Sequence, residues 1–115
     1  MRSPRFYLAH MLDQLAYLTA TSAGLTREAF LNDRTLILAV ERSLEIIGEA
    51  AGKLDDGFKE AHPEIPWRNI RGLRNIIAHV YWNVDYDIVW NVISEDVPRL
   101  HRQLRTLLDS LEEDE

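Results

Sequence analysis

Ile37, Val40, Leu44, Ile47, Ala51 and Leu54 recur at alternating intervals of three and four residues. That spacing lays one apolar stripe along about five helical turns and cannot serve the two-residue period of a strand. The same interval governs Leu8, Met11, Leu15 and Leu18 near the start of the chain, and Val89, Ile93, Leu100, Leu104, Leu107 and Leu111 near its end. Only five glycines and four prolines punctuate the 115 residues, and no alternating apolar run lies between turn residues. The chain is therefore expected to be all-α: an antiparallel up-and-down bundle of four to five helices.

Caps and breakers set the expected boundaries. A connector falls around Gly24, and Thr26 can cap a short turn holding Glu28 and Phe30. Asn32 or Asp33 starts the second long helix, and Asp55-Asp56-Gly57 ends it. Residues 56–66 read as the least regular stretch, because Pro63 and Pro66 forbid a continuous helix there. Pro66 suits the first turn of a helix from Trp67 to about His79. A break follows at Val80–Val84, and Asp85 caps the last segment. Pro98 should kink or interrupt that segment, with Ser94 or Asp96 capping whatever restarts. Residues 1–111 are expected to form one domain, and residues 112–115 an acidic tail.

Charge and composition narrow the function classes. With 46% hydrophobic residues the chain is globular, not disordered. The formal net charge of −6 argues at face value against a nucleic-acid partner. Five of the acids, however, are Asp109, Glu112, Glu113, Asp114 and Glu115, so residues 1–108 set thirteen bases against fourteen acids. Eleven of the thirteen bases are arginine, a side chain whose planar fork suits phosphate and carboxylate. The absence of cysteine excludes a disulfide framework, a zinc ribbon and a thiol nucleophile. No apolar run approaches the roughly 18 residues of a membrane span. Met1-Arg2-Ser3-Pro4-Arg5 leads into a stretch interrupted by His10, Asp13 and Gln14, which is not a signal-peptide pattern. The expected location is the cytoplasm.

Chemistry concentrates in the helix that starts at Trp67. On a wheel of about 100° per residue, Ile70, Leu73, Ile76, Ile77 and Val80 share one arc and make the core face. Arg74, Ala78, Arg71, Asn75 and His79 follow in order on the adjoining arc. One helix thus presents two arginines, an asparagine and a histidine together, with the small Ala78 between them. Metal-free RNA cleavage needs such groups. A base takes the 2′-hydroxyl proton, an acid protonates the leaving 5′-oxygen, and fixed positive charge holds the phosphorane-like transition state. Histidine titrates near neutrality, and arginine gives bidentate donors. One histidine and one arginine are half a site; a two-fold axis would complete it.

The Arg-x4-His spacing alone is weak, since Arg5 and His10 also satisfy it. At that first match Phe6 and Leu12 occupy the places that Asn75 and Tyr81 hold at the second. Arg74-Asn75-x3-His79-x-Tyr81 resembles the signature of the HEPN-superfamily ribonucleases, and most closely the HepT-like toxins of bacterial and archaeal toxin–antitoxin pairs. Ile46-Ile47-Gly48-Glu49-Ala50-Ala51, Pro66-Trp67, Asp85-x2-Ile88-Val89-Trp90 and Asp96-Val97-Pro98-x-Leu100 extend the resemblance over nearly the whole chain. The resemblance implies a HEPN-like bundle that forms a homodimer with the motif helices meeting in a cleft. It implies a metal-independent endoribonuclease with Arg74 and His79 catalytic and Asn75 supporting. It implies a nucleotidyltransferase-fold antitoxin that either masks the site or transfers AMP to Tyr81. Arg71, beside this motif on the wheel, is a further supporting residue.

Other readings stand beside this one. A non-catalytic helical module that binds a nucleotidyltransferase partner would use the arginine face to hold a nucleotide or an acidic surface. Glu41, Glu45 and Glu49 form a carboxylate row, but no Glu-x-x-His occurs to make a di-metal bundle, so neither a metal nor a cofactor is expected. Gly48 reads as a close-packing residue, and Glu49 as a neighbour of the cleft. His10 reads as structural, His62 as a surface loop residue and His101 as exposed. Trp67, Trp82 and Trp90 read as core or half-buried.

Overall fold

The computed structural model describes residues 2–78 and 85–113. His79, Tyr81 and Trp82, and the break expected at Val80–Val84, lie outside these residues. Among the described residues the chain is helical with no strand. The elements are α1 (Pro4–Ser22), α2 (Arg27–Leu31), α3 (Arg34–Lys53), α4 (Asp56–Ala61), α5 (Trp67–Ala78), α6 (Tyr86–Asn91), a π-helical turn (Val92–Asp96) and α7 (Val97–Glu113).

Side-chain caps explain where the helices begin. Ser3 accepts from Phe6 N ahead of Pro4 in α1, and Thr26 accepts from Ala29 N in α2. Asp33 Oδ1 accepts from Leu36 N at 3.0 Å, and Asp85 Oδ1 accepts from Asp87 N at 3.0 Å. Each cap satisfies a first-turn donor that the helix itself leaves unpaired. Between α1 and α2 the chain turns at Gly24, whose φ of +75° favours a residue without a Cβ.

α3 is the central element, packed against α1 on one side and α5 on another, while α7 covers α1. The apolar stripes meet in one core. Leu8, Met11, Leu15 and Leu18 of α1 are buried with Val40, Leu44, Ile47 and Ala51 of α3, Ile70 and Leu73 of α5, and Leu100, Leu104 and Leu107 of α7. Fully buried leucines and isoleucines of this kind contribute about 1.5–3 kcal/mol each against the entropy of ordering the chain. The buried Ser43 hydroxyl donates to Gln14 Oε1 at 2.8 Å, so a polar α1–α3 contact is satisfied internally. The resulting body is elongated, with extents of 45 × 28 × 22 Å.

Two boundaries differ from the sequence reading. Asp55 does not merely terminate α3. Its carboxylate accepts from Phe58 N at 2.7 Å and starts α4, a short helix inside the stretch expected to be irregular. Nor do Ser94 or Asp96 cap a restart at Pro98. Ser94 Oγ donates to the Trp90 carbonyl and Asp96 pairs with Arg99, while the backbone passes from α6 to α7 through the π turn with helical dihedrals. The i→i−5 bond from Val97 N to the Val92 carbonyl widens the helix just before the proline. A proline ring clashes with the carbonyl four residues back in a regular α-helix, and the wider turn gives it room.

Candidate functional site

α5 approaches α3 most closely at a glycine. A Cβ placed on Gly48 would lie 3.0 Å from Arg74 Cβ, 3.1 Å from Arg74 N and 3.4 Å from the Arg71 carbonyl. One turn further along α3, a Cβ on Gly52 would lie 3.9 Å from Arg71 Nε. The pairing of Gly48 with Arg74 and of Gly52 with Arg71 makes the two helices antiparallel. It also brings the α5 backbone down to the glycine surface, so that Arg71 and Arg74 emerge along the edge of α3. The close-packing role read for Gly48 is thus observed, and its partner is Arg74.

The other end of α5 is fixed by its connector. Trp67 Nε1 donates to the His62 carbonyl at 2.9 Å, and Trp67 N donates to the Ile65 carbonyl at 2.8 Å. Phe58 of α4 packs on Trp67 with ring centroids 6.1 Å apart. His62, half-buried, stacks on Phe58 and lies 3.5 Å from Glu64 through Nδ1. Pro66 precedes the first residue of α5, where a missing N–H costs nothing. These contacts set α4 beside the first turn of α5.

Between α4 and α5 lies an open groove of about 620 Å³ lined by Lys59, Trp67, Arg68, Arg71, Arg74 and Asn75, with Gly72 on its floor. Four of these side chains are cations, and no carboxylate appears among its described lining residues. Arg68, Arg71, Arg74 and Asn75 are exposed and Lys59 is partly so, leaving the groups open to solvent. Arg68, Arg71 and Arg74 or Asn75 follow one another at intervals of three and four, so they stack along one face of the helix. Guanidinium groups in such a row offer fixed donor forks to a phosphate chain.

Of the residues expected at a site, the structure brings Arg71, Arg74 and Asn75 together in this groove. His79 follows the last residue of α5 in sequence, and it and Tyr81 lie outside the described residues. Glu49, next to Gly48, is exposed and is not in the groove lining. His10 is exposed with its ring 4.5 Å from that of Phe6, and His101 is partly buried on α7 instead of fully exposed. Trp67 and Trp90 are half-buried, Trp90 against Phe30. Lys59, Arg68 and Gly72 of the groove were not singled out from sequence, and Trp67 was named for the resemblance and its burial, not as a site residue. Arg68 stands three before Arg71 and could have been read from that spacing. Lys59 belongs to another helix and carries no local signal. Among the described residues no group of three or more His, Cys, Asp or Glu is placed to hold a metal ion, and no helix is long and apolar enough to cross a membrane.

The family model for HepT-like ribonucleases matches residues 11–107, which runs from within α1 into α7 and includes the whole groove. The chain belongs to the HepT-like ribonuclease family. Among curated relatives, a protein of Caldanaerobacter subterraneus subsp. tengcongensis named "Putative RNase" is 40% identical over 94% of this chain and 96% of its own. A "Probable ribonuclease HepT" of Thermococcus cleftensis is 36% identical over 92% of this chain and 96% of its own. No solved structure matches. The HepT-like assignment accounts for the all-α bundle and places the protein among ribonucleases.

Proposed function

We propose that this HepT-like protein is a metal-independent endoribonuclease toxin that works as a homodimer, with Arg74 and His79 as its catalytic residues. The observation that carries the reading is the cationic groove. Arg71 and Arg74 stand in it with Asn75, beside Lys59 and Arg68, and the chain runs on from α5 directly into His79. A phosphodiester in the groove would lie among cations, three of them arginine forks.

The chemistry follows from the residue types. One imidazole takes the proton of the ribose 2′-hydroxyl as its oxygen attacks phosphorus. The bond to the 5′-oxygen breaks, and that oxygen leaves with a proton from an imidazolium, the second His79 of the dimer being the natural donor. The arginines hold the charge that builds on the phosphoryl oxygens, a task suited to groups that stay protonated at all working pH values. Asn75, four residues before His79, orients the imidazole or holds a phosphate oxygen. Silencing falls to a nucleotidyltransferase-fold antitoxin. AMP placed on Tyr81 would set negative charge beside the arginines and repel the substrate backbone.

The test is direct. Purified protein should degrade RNA in the presence of EDTA, and His79→Ala and Arg74→Ala should not. Cleavage by His79→Ala at the wild-type rate would overturn the mechanism.

A further inference from the structure

The groove extends beyond the residues that the cleavage chemistry needs. Lys59 is contributed by α4, and Arg68 lies six residues before Arg74 on α5, about 9 Å along the helix axis. That length is enough to meet more than one phosphate of an extended strand. Trp67 supplies an apolar wall at the same end, and its ring is immobilised by the Nε1 bond to the His62 carbonyl and by Phe58. Rigid aromatic surface beside a row of cations is the combination that single-stranded nucleic acid uses, with bases against the ring and phosphates along the charges. A duplex would ask for a broad basic face, and residues 1–108 set thirteen bases against fourteen acids.

We infer that the α4–α5 groove is a binding track for single-stranded RNA next to the cleaved bond, with Lys59 and Arg68 as phosphate contacts and Trp67 as the wall against which a base lies. This rests on the ribonuclease reading above and adds a substrate class to it. Gly72 gives the track its floor. A Cβ there would meet nothing within 4 Å, so a side chain at this position would project into open space.

That vacancy provides a variant that tests the track with little risk to the fold. Gly72→Glu sets a carboxylate in the groove, one helical turn from Arg68. The probe is a fluorescein-labelled 2′-O-methyl oligoribonucleotide, which lacks the attacking hydroxyl and reports binding alone, read by anisotropy as salt is varied. Expected results are a loss of affinity of at least tenfold for Gly72→Glu and severalfold for Lys59→Ala and Arg68→Ala. The slope of log affinity against log salt should also become shallower by about 0.7 for each lost cation. Arg105→Ala, which removes one exposed cation of α7 outside the groove, should bind as the wild type does. The single strand should bind more tightly than the duplex of the same sequence. Wild-type affinity and slope in both Lys59→Ala and Arg68→Ala would overturn the track, as would preference for the duplex. The ribonuclease reading fails by a different result: unmodified RNA left intact by a wild-type protein that binds the methylated strand.

Discussion

Gly48 and Arg74 are in backbone-level contact, with little space for a Cβ between them: one built on Gly48 would lie 3.0 Å from Arg74 Cβ and 3.1 Å from Arg74 N. The position of the arginine is therefore set by how closely α3 and α5 approach. The atoms that would be struck are a Cβ and a backbone nitrogen, neither of which can swing away.

Gly48→Ala should thus push α5 outward. A destabilisation of about 1–3 kcal/mol, the usual cost of overpacking, is expected in urea unfolding. RNA cleavage should fall further than the lost stability accounts for, because Arg74 moves with the helix. Gly52→Ala makes the matched comparison. Its Cβ would sit at ordinary contact distance from Arg71 Nε, 3.9 Å, and alanine gains up to about 1 kcal/mol of helix propensity over glycine. Gly52→Ala should be neutral or stabilising by the same measurement.

Arg74→Lys keeps the charge and loses the fork. If the guanidinium holds two phosphoryl oxygens in the transition state, kcat should fall by about 10²–10³, the scale set by removing one well-placed donor. Steady-state cleavage of a short RNA at saturating substrate checks this.

The α4 helix depends on Asp55, whose carboxylate accepts from Phe58 N. Asp55→Ala should cost about 0.5–2 kcal/mol in thermal or urea unfolding. Because Lys59 rides on the same short helix, affinity for single-stranded RNA should weaken as well, although Asp55 is no part of the groove.

Burial holds the Glu41 carboxyl above the ordinary carboxylate range. A raised folded-state pKa means that the folded protein grips the proton more tightly than the unfolded chain, so ionisation works against folding. The contribution of Glu41 is fullest below the unfolded carboxylate pKa and is lost as pH rises through the folded value. Glu41→Gln should therefore raise the urea midpoint near pH 7 and leave it little changed near pH 3.5, where the wild-type side chain is already neutral.

The long helices could be read from sequence because each is decided by its own residues. The stripe from Ile37 to Leu54 is one buried face of α3, and Thr26, Asp33 and Asp85 cap the helices that their spacing suggested. Asp55 was harder, since the same residue type ends one helix and begins another, and only the Phe58 N bond distinguishes the two. The capped restart at Pro98 was not found because a proline can be accommodated by widening the turn before it as well as by breaking the helix. On α5, Arg71, Arg74 and Asn75 were found by periodicity. Lys59 was not, because its membership of the groove depends on where Trp67 and His62 fasten α4, a tertiary relation with no local trace.

The π turn has a consequence for how this chain can vary. Buried positions Val89, Ile93 and Val97 step by four residues twice in succession, and in a regular α-helix each such step drifts about 40° around the axis. The widened turn absorbs part of that drift and hands the stripe on to Leu100 and Leu104. The wide turn already holds one residue more than an α turn, so losing one residue between Val92 and Asp96 would restore ordinary helix and keep the leucines that cover α1 in phase, whereas gaining one would turn everything downstream by about 100° and carry them into water. This partly exposed helical stretch should therefore tolerate the loss of one residue and not the gain of one, a constraint of phase and not of chemistry.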